Sequence, residues 1–454
     1  MAEKTVAAIS TPLGTGGIGV IRISGGDAIA VADRCFRAAS GKPLSALKGY
    51  RAAFGDVCLP DGTVLDEAVA LVFRAPKSYT GEDVVELSLH GGAEILKQAL
   101  RLVLDCGAHA ADGGEFTKRA FLNGKMPLSK AEGVMDLINA RSAAALKISR
   151  AAADGRIDRA VGDITALLKK TAAAVAAFSD FPDEELEGVN YDAFLTDLTA
   201  AEAALLKLVN SYDDGKLIRE GVRCVIAGKP NVGKSTLMNL LCGEERSIVT
   251  EIPGTTRDIV ETAVNLGDIT LVLSDTAGIR DAEDAVERRG VEKAKEKAEN
   301  ADLVLAVFDS SRNLDSDDRE LLNRLKGKRF IAVINKSDLD RNLDLSEFEG
   351  IDAVTVSAAT GEGRPALANK ICEICRAENL SEADAVLLSE RQRDCAKRAL
   401  EGTAAAKEAL LSGMTPDAVG VCVDDALSAL FELTGERVTN EVADEIFRRF
   451  CVGK

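Results

Sequence analysis

Along the first 118 residues, apolar and polar positions alternate in short runs closed by glycine turns: IGVIRIS (18–24), EAVALVF (67–73) and DVVELSLH (83–90). A period of two marks a half-buried strand. One stretch, AEILKQALRLVLDCG (93–107), changes to helical spacing, so residues 1–118 read as a compact α+β domain. From 119 to 215 the pattern is helical. The alanine-rich segment SAAALKISRAAADGRIDRAVGDITALLKKTAAAVAAF (142–178) suits long bundle helices, FPDEE (181–185) punctuates it, and another helix is predicted over 191–210. From 216 to 379, RCVIAG (223–228), ITLVLSD (269–275), DLVLAVFD (302–309), FIAVIN (330–335) and DAVTVS (352–357) alternate with helical segments. Such near-continuous apolar strands belong in a doubly wound, mostly parallel sheet. Helical spacing returns over 380–454. Two arrangements fit: an α/β domain inserted in a helical domain whose halves meet in space, or four units in a row. The first is the expectation taken forward.

A chain of 454 residues is too long for one core, and about three domains is the natural prior. Hydrophobic content of 46% with 28% charged residues describes a soluble globular protein. The net charge of −17 opposes a generic nucleic-acid coat or an anionic-membrane binder, yet leaves room for a local basic patch that docks one structured RNA. The ten cysteines follow no disulfide-framework spacing and read as reduced thiols of a cytoplasmic protein. Cys372 and Cys375 form a lone CxxC in a helical pattern, best read as packing, and two histidines, His90 and His109, build no His-rich metal site. Neither a signal peptide nor an apolar run of membrane-spanning length is expected.

Chemistry concentrates after residue 227. Gly228-Lys229-Pro230-Asn231-Val232-Gly233-Lys234-Ser235 matches GxxxxGK[ST] between a predicted strand and the helical pattern STLMNLLCG, the context this phosphate loop requires. Backbone N–H groups from Asn231, Val232 and Gly233 through Thr236 would wrap the phosphates, Lys234 would reach the β- and γ-phosphates, and the Ser235 hydroxyl would ligate Mg²⁺. Thr256, in PGTTRD (253–258), can bring a second hydroxyl to the metal. Asp275, Thr276, Ala277 and Gly278 form DTAG, whose carboxylate can hold a metal-bound water and whose glycine can contact the γ-phosphate. Asn335, Lys336 and Asp338 stand in NKSD, where Asp338 can accept from the N1–H and 2-amino group of guanine. Adenine offers neither donor. Ser357, Ala358 and Ala359 follow the last strand and can meet the guanine oxygen. GTP is therefore the expected substrate.

After that glycine, many small GTPases place a glutamine that orients the attacking water. Here the residue is Ile279, which cannot hydrogen-bond. The GTPase segment resembles the translation-factor-like branch of P-loop GTPases. The whole chain resembles the MnmE (TrmE) family of tRNA-modifying GTPases, also on TPLGTGGIGVIRISG near the start, SYTGEDVVELSLHGG (78–92), GEFTKRAFLNGKMPL (114–128), FPDEE and the terminal Cys451-Val452-Gly453-Lys454. That resemblance implies K⁺ in place of an arginine finger, and GTPase domains that pair face to face. Asn231 matches the family's potassium-binding position. Thr250-Glu251-Ile252-Pro253-Gly254-Thr255 matches its potassium loop, with oxygens of Thr250, Ile252 and Thr255 completing the shell. Glu287, in AVER (285–288), matches the catalytic glutamate that orients water; on the residues alone it reads as a solvated carboxylate at a helix start. Arg257 reads as a loop anchor or a partner for a carboxylate in the dimer, with a role as arginine finger the lesser alternative.

The resemblance also implies that the N-terminal domain binds 5-formyltetrahydrofolate or a related folate, at positions matching Arg22, Glu86, Lys125 and Lys454. Arg22 and Glu86 could instead be cross-strand surface charges, and Lys125 merely solvated. Cys451 is the candidate reactive thiol, or an inert one. The implied reaction adds an aminomethyl or carboxymethylaminomethyl group to C5 of the wobble uridine of certain tRNAs, by a homodimer working with the FAD-dependent protein MnmG (GidA). A GTPase switch in ribosome assembly, without base chemistry, shares the GTPase motifs but should carry a basic RNA-binding module.

Overall fold

A computed structural model describes residues 4–180, 191–243, 261–274, 301–375, 385–448 and 450–453. The chain divides into two compact units, residues 1–135 with 428–454, and residues 136–427.

The first unit is built on a seven-stranded sheet. Its strands are β1 (Val6–Ile9), β2 (Ile18–Ser24), β3 (Phe36–Ala38), β4 (Arg51–Cys58), β5 (Val64–Phe73), β6 (Val84–His90) and β7 (His109–Ala110), in the spatial order β3-β4-β5-β6-β2-β1-β7. Every pairing is antiparallel except β1 with β7. Alternation does what the sequence pattern demands. Ile21 and Ile23 of β2, Val85 and Leu87 of β6 and Ala70 and Val72 of β5 are buried against α1 (Ala28–Cys35) and α2 (Ala93–Asp105). A Cβ at Gly19 would stand 2.5 Å from the Leu96 side chain of α2, so a larger residue here would displace Leu96 from the sheet face. Helix α3 (Glu115–Leu122) and the start of α4 (Leu128–Asn139) pack with the chain's last helix around Leu128, Phe447 and Phe450.

In the second unit, α5 (Ala143–Ala153), α6 (Arg156–Asp180) and α7 (Tyr191–Glu220) form a helical bundle. The 142–178 segment is thus two helices, because Gly155 at φ +80° follows the last turn of α5 and ends it. The buried stripes are coiled-coil-like. In α6 they fall at Ile157, Val161, Ile164, Leu168, Thr171 and Val175, and in α7 at Phe194, Leu198, Ala201, Leu205, Leu208 and Tyr212.

Strand β8 (Val222–Ala227) follows α7 and opens a second sheet, continued by α8 (Lys234–Cys242), β9 (Glu261–Leu266), β10 (Ile269–Ser274), β11 (Leu303–Asp309), α9 (Ser316–Leu325), β12 (Phe330–Asn335), β13 (Ala353–Thr355) and α10 (Arg364–Ile374). The sheet order is β13-β12-β11-β8-β10-β9, parallel except at β9. Of the β9–β10 hairpin, β10 matches the predicted strand ITLVLSD, whereas β9 was not among the predicted strands. The hairpin's two-residue loop has Gly267 at φ +56° in the first position. Helix α11 (Glu390–Leu411) then returns to α7, presenting the small buried residues Ala396, Ala399, Thr403 and Ala406, and Lys407 reaches Glu202 of α7 at 2.7 Å. The α/β layer is therefore inserted between two helices that meet in space, the first of the two arrangements expected. Helices α12 (Pro416–Thr434) and α13 (Asn440–Arg448) complete the chain.

Candidate nucleotide site and a second, charged site

The phosphate loop joins β8 to α8. Its backbone is left-handed at Asn231 (φ +62°) and Gly233 (φ +95°). A Cβ at Gly233 would stand 2.2 Å from Asn335 Nδ2, and one at Gly228 2.5 Å from the carbonyl of Val307. Both glycines are thus required by conformation and by close approach. Lys234 Nζ donates to the carbonyls of Gly228 (2.8 Å) and Lys229 (2.6 Å), which folds the loop around its ammonium, and burial lowers the Lys234 pKa. Ser235 and Thr236 are exposed on the first turn of α8, whose N–H groups lack helical acceptors. The Asn231 side chain, exposed at the loop's crest, makes no hydrogen bond among the described residues.

The base-reading side is tied to this loop. Asn335 is buried; its Nδ2 donates to Val232 O (2.8 Å) and its Oδ1 accepts from Ala358 N (2.9 Å). It is a crossbar between the phosphate loop and the Ser357-Ala358-Ala359 segment. Ser357 Oγ donates to Asp338 Oδ1 at 2.6 Å, orienting an exposed carboxylate. Lys336 (φ +66°) is fixed by Asp309 at 2.6 Å, and Ser311 Oγ donates to the other oxygen of that carboxylate at 2.6 Å. Sequence reasoning missed a further clamp: Lys229 pairs with Asp315, the N-cap of α9, and with Asp317 at 3.2 Å. The Lys229 ammonium holds the Asp315 carboxyl far below the usual range. The signal was the acidic run Asp315-Ser316-Asp317-Asp318, which reads locally only as a helix cap.

Thr250, Glu251, Ile252, Pro253, Gly254, Thr255, Thr256, Arg257, Asp275, Thr276, Ala277, Gly278, Ile279, Glu287 and Lys454 lie outside the described residues.

In the first unit, Arg22 of β2 stands directly opposite Glu86 of β6. Arg22 Nε and Nη2 each lie 2.8 Å from Glu86 Oε1, and Nη1 donates to Gly453 O at 3.2 Å. The guanidinium lies between the rings of Tyr79 (5.6 Å) and Phe116 (5.5 Å). Glu86 Oε2 has no partner among the described residues. Lys125 Nζ donates to Pro76 O at 2.9 Å, on the loop that carries Tyr79. Cys451 is exposed, and its carbonyl accepts from Gly114 N at 3.2 Å. Ser10 Oγ donates to Gly453 O at 3.0 Å, so the C-terminal tail is seated beside Arg22. The cross-strand ion pair and the charged cluster are therefore the same object. Three residues of the quoted motifs have a different place: Arg119 is buried, paired with Glu82 (3.2 Å) and Glu115 (2.9 Å), and donates to Lys4 O (2.9 Å).

A glycine-hinged loop closed on its own lysine, joined by an asparagine crossbar to a carboxylate at a strand end, defines a P-loop nucleotide-binding protein of the GTPase type. A family model described as the MnmE helical domain matches residues 128–451, and one described as the GTP-binding protein TrmE N-terminus matches residues 5–125. The chain is 43% identical over 455 residues to the tRNA modification GTPase MnmE of Geobacter sulfurreducens, covering 100% of this chain and 99% of the relative. It is 42% identical over 459 residues to that of Symbiobacterium thermophilum, covering 100% of both. Among solved structures, the G domain of the T. maritima FeoB iron transporter is 30% identical, covering 34% of this chain and 98% of that chain at a TM-score of 0.27. On the sequence relatives, the chain belongs to the MnmE family of tRNA modification GTPases.

Proposed function

We propose that this protein is a K⁺-activated, dimerisation-dependent GTPase. With the FAD-dependent MnmG (GidA), it adds an aminomethyl or carboxymethylaminomethyl group at C5 of the wobble uridine of certain tRNAs, using a one-carbon unit from formyltetrahydrofolate. The observation that carries the GTPase reading is the Asn335 crossbar, which sets the phosphate loop and the Asp338 carboxylate in one register. The tRNA reading rests on full-length relatives that carry that activity in their names.

On this reading Asp338 accepts from the guanine N1–H and 2-amino group while Ser357 holds its other oxygen. Lys234 exchanges the carbonyls of Gly228 and Lys229 for phosphate oxygens, and the first-turn N–H groups of α8 donate to the same phosphates. The donor set fits the metals: the hydroxyls of Ser235 and Thr256 would hold Mg²⁺, with Asp275 behind a bound water. Asn231 Oδ1 with oxygens of Thr250, Ile252 and Thr255 would hold K⁺. When bound, these cations offset charge on the phosphates. Glu287 would orient the water in the place where Ile279 cannot.

The Arg22–Glu86 cluster fits a folate. Glu86 Oε2 is an open acceptor beside two aromatic rings, suited to the amide donors of a pterin, and Lys125, Arg22 and Lys454 suit the carboxylates of a glutamyl tail. The folate supplies one carbon, and Cys451 stands two residues from the carbonyl that Arg22 grips. Pairing of two chains is supported by the outer face of β4 and β5, where the register partners Phe54 and Val69 are 56% and 41% exposed. The chain is expected to act in the cytoplasm; no helix among the described residues is long and apolar enough to cross a membrane. The ribosome-assembly alternative is disfavoured by the match to the TrmE N-terminus.

The test is nucleoside analysis of tRNA from a strain lacking the protein, complemented with the intact chain. Wobble-uridine C5 substitution should vanish and return. Full modification without the protein would refute the reading.

A further inference from the structure

The elbow between α5 and α6 carries a cavity of about 320 Å³ lined by Arg150, Ala151, Asp154, Arg156 and Arg159. It holds three guanidiniums against one carboxylate, in a chain whose acidic residues outnumber its basic ones, 73 to 56. The side chains are accessible: Arg150 is 68% and Asp154 54% exposed, and their ion pair is 3.0 Å long. An exposed pair of this kind is held weakly and gives way readily to a stronger anion. Arg159 also lines the cavity, with its Nη2 donating to the carbonyl of Asp154 at 2.8 Å. Arg156 makes no ion pair or hydrogen bond with its side chain among the described residues. Asp158, on the same turn, is half-buried and does not line the pocket. The turn at Gly155 (φ +80°) brings guanidiniums from two helices to one opening. No part of the GTPase or folate chemistry uses them.

We propose that this pocket binds the phosphate backbone of an RNA, and serves as the local basic patch that docks the structured substrate of an otherwise acidic protein. Planar guanidiniums favour phosphate oxygens bidentately, and several phosphates in reach of one cluster give the strong salt dependence of nucleic-acid contacts. The inference rests on the tRNA reading above.

The test measures binding of fluorescently labelled tRNA to the full chain across a KCl series, for wild type and for Arg156→Ala/Arg159→Ala. The double variant should bind about tenfold more weakly, and its slope of log affinity against log salt should be shallower by about 1 to 2. Arg156→Lys/Arg159→Lys should keep most of the affinity. GTP turnover without RNA should be unchanged in both variants, showing that they fold. Separate arms titrate inorganic phosphate and phosphatidylserine vesicles. Loss of phosphate or vesicle binding with tRNA affinity intact overturns the proposal. Unchanged tRNA affinity, while the deletion strain still loses wobble modification, overturns the pocket alone; a wild-type chain that binds no tRNA at low salt overturns the pocket, whatever the deletion strain shows.

Discussion

Single residues in this protein divide by whether their partners are near or far in the chain. Gly233 and Lys234 act through their own loop, and the motif around them announces it. Arg119 does not. It is 4% exposed and, among the described residues, satisfied by Glu82, Glu115 and Lys4, which lie on three segments. Ser24 Oγ donates to Glu82 at 2.7 Å and so extends the network to β2. Removing one member of a buried ionic network leaves the rest uncompensated. Arg119→Ala should cost about 3–5 kcal/mol in urea unfolding of the intact chain. A loss below about 1 kcal/mol would show that the carboxylates find water instead. Asn335 and Lys229 are of the same far-partnered kind, which is why a local motif gave their types but not their crossbar and clamp.

At the scale of elements, periodicity carried most of the fold. The stripe of α7 and the alternation of β2 and β6 are visible as spacing, because burial on one face is what selects those residues. Strand β9, and with it the β9–β10 hairpin pairing, escaped because an antiparallel edge strand such as ETAVNL is half polar and short. The break between α5 and α6 escaped because alanine-rich flanks outweigh one glycine in any helical window. One strand contact reports on pH. His90 Nδ1 lies 2.7 Å from Asp66 Oδ1, joining β6 to β5, and that bond raises the imidazole above its ordinary value of 6.5. A raised folded pKa means the stabilisation is complete below 6.5 and fades as pH rises through the folded value. His90→Ala should therefore lower Tm more at about pH 5.5 than at about pH 8.5. An equal difference at both would mean that the pair contributes nothing through charge.

At the scale of the molecule, the chain joins a nucleotide machine to a charged pocket that grips its own C-terminal tail. Arg22 links the two ends of the sequence, since its guanidinium pairs with Glu86 and holds Gly453 O. That placement follows from the tertiary return of 428–454 to the N-terminal unit, which no window of sequence encodes. The central proposal is that a monovalent cation at Asn231 offsets phosphoryl charge in place of an arginine finger, while Glu287 takes the water-orienting role that the apolar Ile279 cannot. The most direct measurement is steady-state GTP turnover by the purified protein in KCl and in NaCl at equal ionic strength. The account predicts turnover in K⁺ faster by about tenfold or more, the scale expected when charge on a transferring phosphoryl group is offset. Equal rates in the two salts would contradict it.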